Sequence, residues 1–584
     1  MESEQKITDH LRDFTATPRM LQLAAMAAVT GTFGALAAWV LLRLIAIITN
    51  LAYLHRFGTI LPQMPAHLPL SSVAIPVIGS IIIGLMARYG SEKIRGHGIP
   101  EAIEAILIGR SRIEPKVALL KPLSSAISIG TGGPFGAEGP IIMTGGALGS
   151  LFAQMFQLSA AERKSLLVAG AAAGMTAVFG TPIASVLLAV ELLLFEWKPR
   201  SFIPVSVASA VSFAWRPFLI GSGALFPYLG AVSMPWWGLG LCAVAGLVAG
   251  AQSSILTLIL YGVEDLFRRL PIHWMWWPAL GGIVVGLGGL ADPAVLGVGY
   301  DNIRALLAGG IGLSAAGTLL WDKALVWVAA LSSGTSGGVL APLLILGGAL
   351  GALESYVMPF GDSGFWALIG MAAILGGTMR APLTATVFAV ELTGNPHLLP
   401  QLFVASVAGF CFTVLAMPRS ILTERIARRG LHLTREYVVD PFDVMRVSDI
   451  MVSPVETLSA SMPIKDAVEF FATGDRHKSY PVEDEKGRVT AMVSRADMLR
   501  WVREGWKADE TLGDLKSEMV TAFPEELAGV VADRMSETGA SRVPVIARES
   551  GKLVGLVARR ELLRVRAMAI LEEKEREGGL ARRA

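Results

Sequence analysis

Residues 170–193, GAAAGMTAVFGTPIASVLLAVELL, align without a gap on residues 370–393, GMAAILGGTMRAPLTATVFAVELT, so that Pro182 falls on Pro382 and Glu191 on Glu391. Just upstream, GAEGPIIMTGGALGS from Gly136 aligns on GVLAPLLILGGALGA from Gly338, with Pro140 on Pro342 and Glu138 on Leu340. Gly- and Ala-rich segments can match by composition alone, but a shared GGALG, a shared AVEL and prolines in near-constant register mark an internal duplication. Duplicated apolar halves broken by Gly and Pro point to a midplane site formed where the repeats meet. The residues alone leave open whether the copies run parallel or inverted.

The repeats sit in a chain of 584 residues, 53% hydrophobic and 17% charged, too apolar for a soluble globule and too long for one domain. From about Met20 to Met417 apolar runs follow one another, many shorter or more interrupted than the roughly 20 residues of a plain membrane span. This predicts an all-α polytopic membrane domain of broken and re-entrant helices, over residues 20–417, with repeats of roughly 20–218 and 219–417. Trp236, Trp237, Trp274, Trp276 and Trp277, beside prolines at segment ends, are expected as interfacial anchors. Cys242 and Cys411 lack metal-ligand or CxxC spacing and read as small buried hydrophobes. A net charge of +2 without a basic, aromatic-interleaved patch excludes nucleic acid as partner.

Residues 1–19 are of mixed charge and lack a secretory core and cleavage site, so this end is expected in the cytosol. Arg419, Arg425, Arg428 and Arg429 follow the last apolar segment and place that end in the cytosol too. After a linker at 418–446 the composition turns to soluble α/β, again in two copies, 447–505 and 511–570, with a charged tail at 571–584. Each copy carries an amphipathic helix, a strand with Pro-Val (Pro481 and Val482; Pro544 and Val545), a Gly turn, a second strand and a helix. Two such modules bury one face against the other.

The chemistry concentrates in three loops, GHGIPE (Gly96–Glu101), GAEGP (Gly136–Pro140) and SGGVLAP (Ser336–Pro342). Irregular backbone at membrane depth is tolerated only where it is buried in protein or lines a watery path. In each loop Pro opens the following apolar run, a placement favoured in the first turn of a helix. The loops are therefore expected to aim helix amino ends at one place, where free amides suit an anion without gripping it as a full charge would. Glu138, an ionisable group between apolar runs, reads as part of an ion or proton path, against the plainer reading of a loop glutamate bonded to backbone. There is no HExxH, no GxSxG in a suitable context and no paired Asp constellation, so an enzyme is not expected.

These three loops, in this order within a duplicated core, resemble the CLC family of chloride channels and proton-coupled chloride exchangers, and the tail resembles a pair of CBS domains. The resemblance implies inverted repeats and a homodimer in the lipid bilayer with a chloride pore in each subunit. It implies Glu138 as the gating carboxylate, which competes with the anion for the same amides and yields when protonated or displaced. It implies anion contacts from Gly96, His97, Gly98, Ile99 and Pro100, from Gly136, Ala137, Gly139 and Pro140, and from Gly338, Val339 and Leu340.

Three departures stand out. His97 occupies the place of the family's central serine, which puts an imidazole where a hydroxyl is usual. Pro418 is the best match to the family's pore tyrosine. Leu192 stands where exchangers carry an inner glutamate; Glu196, one helical turn on, is the candidate substitute, or else a solvated residue beside Trp197, Lys198 and Arg200. The missing glutamate favours a passive channel, with proton-coupled exchange as the alternative. A divalent-cation transporter would need more carboxylates in the path than Glu138. No cofactor is required; an adenine nucleotide at the CBS pair is the optional ligand, through Ser494 and Asp497, whose counterparts in the second copy are Ala558 and Glu561.

Overall fold

Glycine and proline break the apolar runs into helices that stop and restart. The computed structural model describes residues 18–107, 109, 111–230, 234–430, 442, 445–473, 477–506, 509–515 and 519–565. Segment 1–17 and tail 571–584 lie outside them. The chain divides into two units, Met1–Glu436 and Tyr437–Ala584.

The first unit opens with α1 (Arg19–Leu54), α2 (Ala74–Tyr89), α3 (Ile99–Leu107), α4 (Pro115–Gly130), α5 (Glu138–Gln154), α6 (Ala160–Phe179), α7 (Pro182–Leu188) and α8 (Pro199–Leu219). The series then repeats helix for helix as α9 (Gly238–Arg268), α10 (Trp277–Ala291), α11 (Tyr300–Leu307), α12 (Leu313–Ser332), α13 (Leu340–Glu354), α14 (Ser363–Met379), α15 (Pro382–Thr393) and α16 (Leu399–Ala416). Among the described residues six stretches are long and apolar enough to cross a membrane, three in each half, α1, α2 and α8, then α9, α10 and α16. Helices α5–α7 and α13–α15 form the buried interior, with α6 and α14 lined by Ala and Gly so that backbones approach closely.

Inversion is visible directly at α7 and α15. The Glu391 carboxylate, at the end of α15, accepts the amides of Ile183 and Ala184 at the start of α7, at 3.0 and 2.8 Å. Glu191 returns the contact to Leu383 and Thr384 at the start of α15, at 3.4 and 2.7 Å. Equivalent helices thus lie antiparallel, each carboxylate satisfying amides that a helix start leaves without intrahelical partners.

Three details differ from the sequence expectation. The segment read as a linker contains α17 (Ile421–Ala427), whose Ile421, Leu422 and Ile426 are buried in the same core as the membrane helices. Beyond α7 the chain is π-helical over Ala189–Leu194 and then stops, with Phe195 at φ 53°. Glu196 is therefore not one helical turn beyond Leu192, because the helix has already ended. Cys242 is buried as expected, whereas Cys411 is exposed.

In the second unit the first copy contains α19 (Ile464–Thr473), α20 (Arg495–Glu504) and the strands β1 (Leu458–Ser459), β2 (Ser479–Glu483) and β3 (Val489–Ser494). Strand β1 pairs parallel to β2, and β2 antiparallel to β3, with Tyr480 opposite Val493. The second copy contains α21 (Ala528–Thr538) and the antiparallel pair β4 (Arg542–Ile546) and β5 (Leu553–Ala558). The copies exchange their leading segments. Short α18 (Val447–Ile450), read as part of the first copy, packs into the core of the second, and Val452 bridges Leu556. Leu512, read as part of the second, is buried in the core of the first. Period-2 and period-3.6 patterning identifies the elements, but gives no sign of which of two similar cores a short flanking segment joins.

Candidate functional site

The three loops singled out by their Gly and Pro content meet. Gly96 bridges Ser336 in parallel and Gly136 bridges Gly338 antiparallel. Gly98 and His97 lie against Gly139 so closely that a Cβ on Gly98 would come within 2.8 Å of the Gly139 carbonyl oxygen. Gly96, His97, Gly98, Ile99 and Pro100, Gly136, Ala137, Gly139 and Pro140, and Gly338, Val339 and Leu340 are all buried. Helices α3, α5 and α13 begin at Ile99, Glu138 and Leu340, so each loop delivers a helix amino end into this place.

Glu138 is fully buried there. Its Oε1 accepts the Ala341 amide at 2.7 Å, so a carboxylate on α5 caps α13, the matching helix of the other half. A side chain on Gly338 would meet that carboxylate, its Cβ 2.9 Å from the carboxyl carbon, so glycine makes the room. The other oxygen, Oε2, has no hydrogen-bond partner. A carboxyl group therefore already occupies an amide at the junction of the repeats, with one of its two oxygens satisfied.

Below this point stand groups that the sequence reading passed over. Lys121 on α4, fully buried, donates to the carbonyls of Ile94 and Gly96 at 2.8 and 2.7 Å and to Ser336 Oγ at 3.2 Å. Ser124 and Ser125 converge on the same Ser336 hydroxyl at 3.1 and 2.9 Å. His97 is 2% exposed, and its Nδ1 has no partner. The signal for Lys121 was present: an ammonium in the middle of a helix, repeated at Lys323 on α12, is costly enough within a membrane to imply a role.

Pro418 lies elsewhere. It is exposed, and its carbonyl accepts from Arg380 at 3.3 Å. What reaches the His97 loop from this end of the chain is Arg425 on α17, whose guanidinium lies against Gly96 and donates to the Arg95 carbonyl at 3.2 Å. Glu101 lies 3.4 Å from Arg425 and 3.1 Å from Arg429. Glu196 accepts from Ser201 at 2.7 Å and stands 3.6 Å from Lys164. Leu192 is fully buried.

In the second unit Ser494 and Asp497 form a capping box at the start of α20, with the Ser494 hydroxyl donating to Asp497 at 2.6 Å and accepting the Asp497 amide at 3.3 Å. The spacing read as a ribose clamp is engaged in helix capping. The Ala558 amide donates to Glu561 at 3.2 Å, so the second copy keeps the half of the box that needs no hydroxyl.

Residues 78–413 match the family model described as voltage gated chloride channel, and residues 447–504 and 512–567 match the CBS domain. The chain is 29% identical over 377 residues to the voltage-gated ClC-type chloride channel ClcB of Salmonella typhi, a match spanning 62% of this chain and 87% of that protein. It is likewise 29% identical over 398 residues to the H(+)/Cl(-) exchange transporter ClcA of Klebsiella pneumoniae, over 65% of this chain and 83% of the other. Among solved structures, a slow cyanobacterial Cl-/H+ antiporter superposes with a TM-score of 0.62 at 22% identity, covering 71% of this chain and 98% of the other. A eukaryotic CLC transporter gives 0.59 at 17% identity, covering 93% and 98%.

Proposed function

The chain belongs to the voltage-gated chloride channel family and is an integral membrane protein of chloride transport; on that premise we propose that it is a passive chloride pathway gated by Glu138, with a pore in each subunit of a homodimer. The observation that carries the gate is the Glu138 carboxylate on the Ala341 amide at 2.7 Å. A chloride ion and a carboxylate want the same donors, so either external chloride or a proton frees the path. His97, the Gly96–Pro100 loop and the amides of Val339 and Leu340 would line the route below it. The passive reading draws support from Leu192 at the exchanger glutamate's place and from Glu196, which is held by Ser201. The homodimer rests on the family resemblance. The basic run Arg419–Arg429 favours cytosolic placement of the end that follows the last span, as the mixed charge of residues 1–19 does for the other.

Proton-coupled exchange is the second reading, since the relative named exchange transporter is as similar as the one named channel. Reconstituted protein decides between them. In liposomes with a chloride gradient, wild-type flux is expected to move no protons and to rise as external pH falls, while Glu138→Gln keeps its flux and loses the pH response. Stoichiometric proton movement would replace the channel with an exchanger, and an unchanged pH response in Glu138→Gln would remove the gate from Glu138.

A further inference from the structure

The inner loop has an unassigned mirror image. Gly297 and Gly299, at φ 62° and 75°, precede α11 as Gly96 and Gly98, at φ 81° and 87°, precede α3. Lys323 on α12, fully buried, donates to the carbonyls of Val295 and Gly297 at 2.7 and 3.3 Å, as Lys121 does to Ile94 and Gly96. The Gly297 amide donates at 3.0 Å to the carbonyl of Gly132, in the loop that leads into Glu138. This fourth loop ends in Tyr300, at the position that Ile99 holds in the first half.

Tyr300 is held for a purpose its present contacts do not supply. Its ring meets Phe226 edge-on at 5.3 Å, yet its hydroxyl is buried and has no hydrogen-bond partner. An unmet buried donor costs free energy in this state, and a second state that pairs it recovers that cost. Glu138 lies within electrostatic reach of this phenol and carries the other unmet atom, Oε2. A cavity of about 860 Å³ is lined by Tyr300 together with Arg43, Asp292, Asn302 and Arg304, whereas Glu138 has no exposure. Tyr300 thus lines that open space and lies within electrostatic reach of the carboxylate.

We infer that Tyr300 is the positioning residue that receives the Glu138 carboxylate when an anion displaces it from the amides of α13. The inference rests on the gate assigned above and deepens it. The displaced, charged carboxylate gains an O–H donor at the cavity wall, whereas a protonated Glu138 does not depend on one. The other charged and titratable groups around this region are Lys323 on α12, Arg304 on α11 and Asp292 on one side, and His97 and Lys121 on the other. Asp301 and Arg43 also line the cavity.

Chloride flux of the full-length protein in liposomes, followed across external pH, tests this with Tyr300→Phe, Glu138→Gln and the double variant. Tyr300→Phe keeps the ring and is expected to lose about tenfold in flux at alkaline pH, the worth of one hydrogen bond to a charged group, with flux at acid pH unchanged. In the Glu138→Gln background the same change is expected to have no effect. Flux lost equally at every pH, lost again in the Glu138→Gln background, or unaltered throughout would each overturn the inference. A pH response that survives in Glu138→Gln alone would instead strike at the gate itself, so the two failures are told apart.

Discussion

Glu138 and His97 sit on either side of Gly139, one with an amide on one oxygen only, the other with a ring nitrogen that bonds to nothing. A buried polar atom without a partner costs roughly 1–3 kcal/mol, so both positions carry a price for something other than stability. If the His97 ring meets the passing ion, then His97→Ser should move the chloride-over-nitrate permeability ratio by about tenfold, the scale of one hydrogen bond to an ion. Reversal potentials with chloride on one face and nitrate on the other measure it, and an unaltered ratio would take His97 out of the path. Glu138 was legible in the sequence because a carboxylate between apolar runs is expensive, and the glycines beside it because no other residue leaves space for that carboxylate. Arg425 was not legible, since its partner Arg95 lies 330 positions away and only the packing of α17 onto the His97 loop joins them.

At the scale of elements, the AVEL repeat that exposes the duplication has a structural use. Glu191 and Glu391 are the reciprocal caps of α15 and α7, with Thr384 Oγ1 adding a 2.5 Å bond to Glu191. Replacing Glu391 or Glu191 by Gln keeps an acceptor but removes the charge facing a helix amino end, so each is expected to cost about 1 kcal/mol. The two caps lie at opposite ends of α15, about 12 Å apart by helix rise, which is far enough for the losses to add. Thermal unfolding in detergent of the two single variants and the double variant reads this, and a double variant no worse than either single one would mean the caps act as one. The alignment displayed both glutamates, but periodicity contains no information about which helix faces which, so their pairing needed the tertiary structure. The same holds for the π-helical end of α7, which moves Glu196 off the helix on which a 3.6-residue count would place it.

For the whole molecule, the change in composition after Met417 suggested a boundary there, whereas the packing boundary falls after Glu436. Arg419, Arg425, Arg428 and Arg429 read as a basic run after the last span. In the structure three of them tie α17 to the membrane unit, Arg428 to Asp265, Arg429 to Glu101 and Glu104, and Arg425 to Glu101. Burial of Ile421, Leu422 and Ile426 adds the larger share, at roughly 1.5–3 kcal/mol for each apolar side chain removed from exposure. Truncation after Glu436 is therefore expected to leave a membrane unit that still carries chloride in liposomes. Truncation after Pro418, which removes α17, is expected to lower its thermal stability in detergent and abolish flux; equal behaviour of the two fragments would show that α17 is dispensable.

Lys121 and Lys323 have a consequence for charge discrimination. Each is enclosed, each is bound to main-chain oxygen, and among the described residues neither has a carboxylate within salt-bridge distance. Each ammonium, when it holds its proton, sets a positive charge beside one of the paired glycine loops. Rejection of cations would then draw on the scaffold as well as on the moving carboxylate, and a protein whose gate has been removed should remain as intolerant of potassium as the intact one.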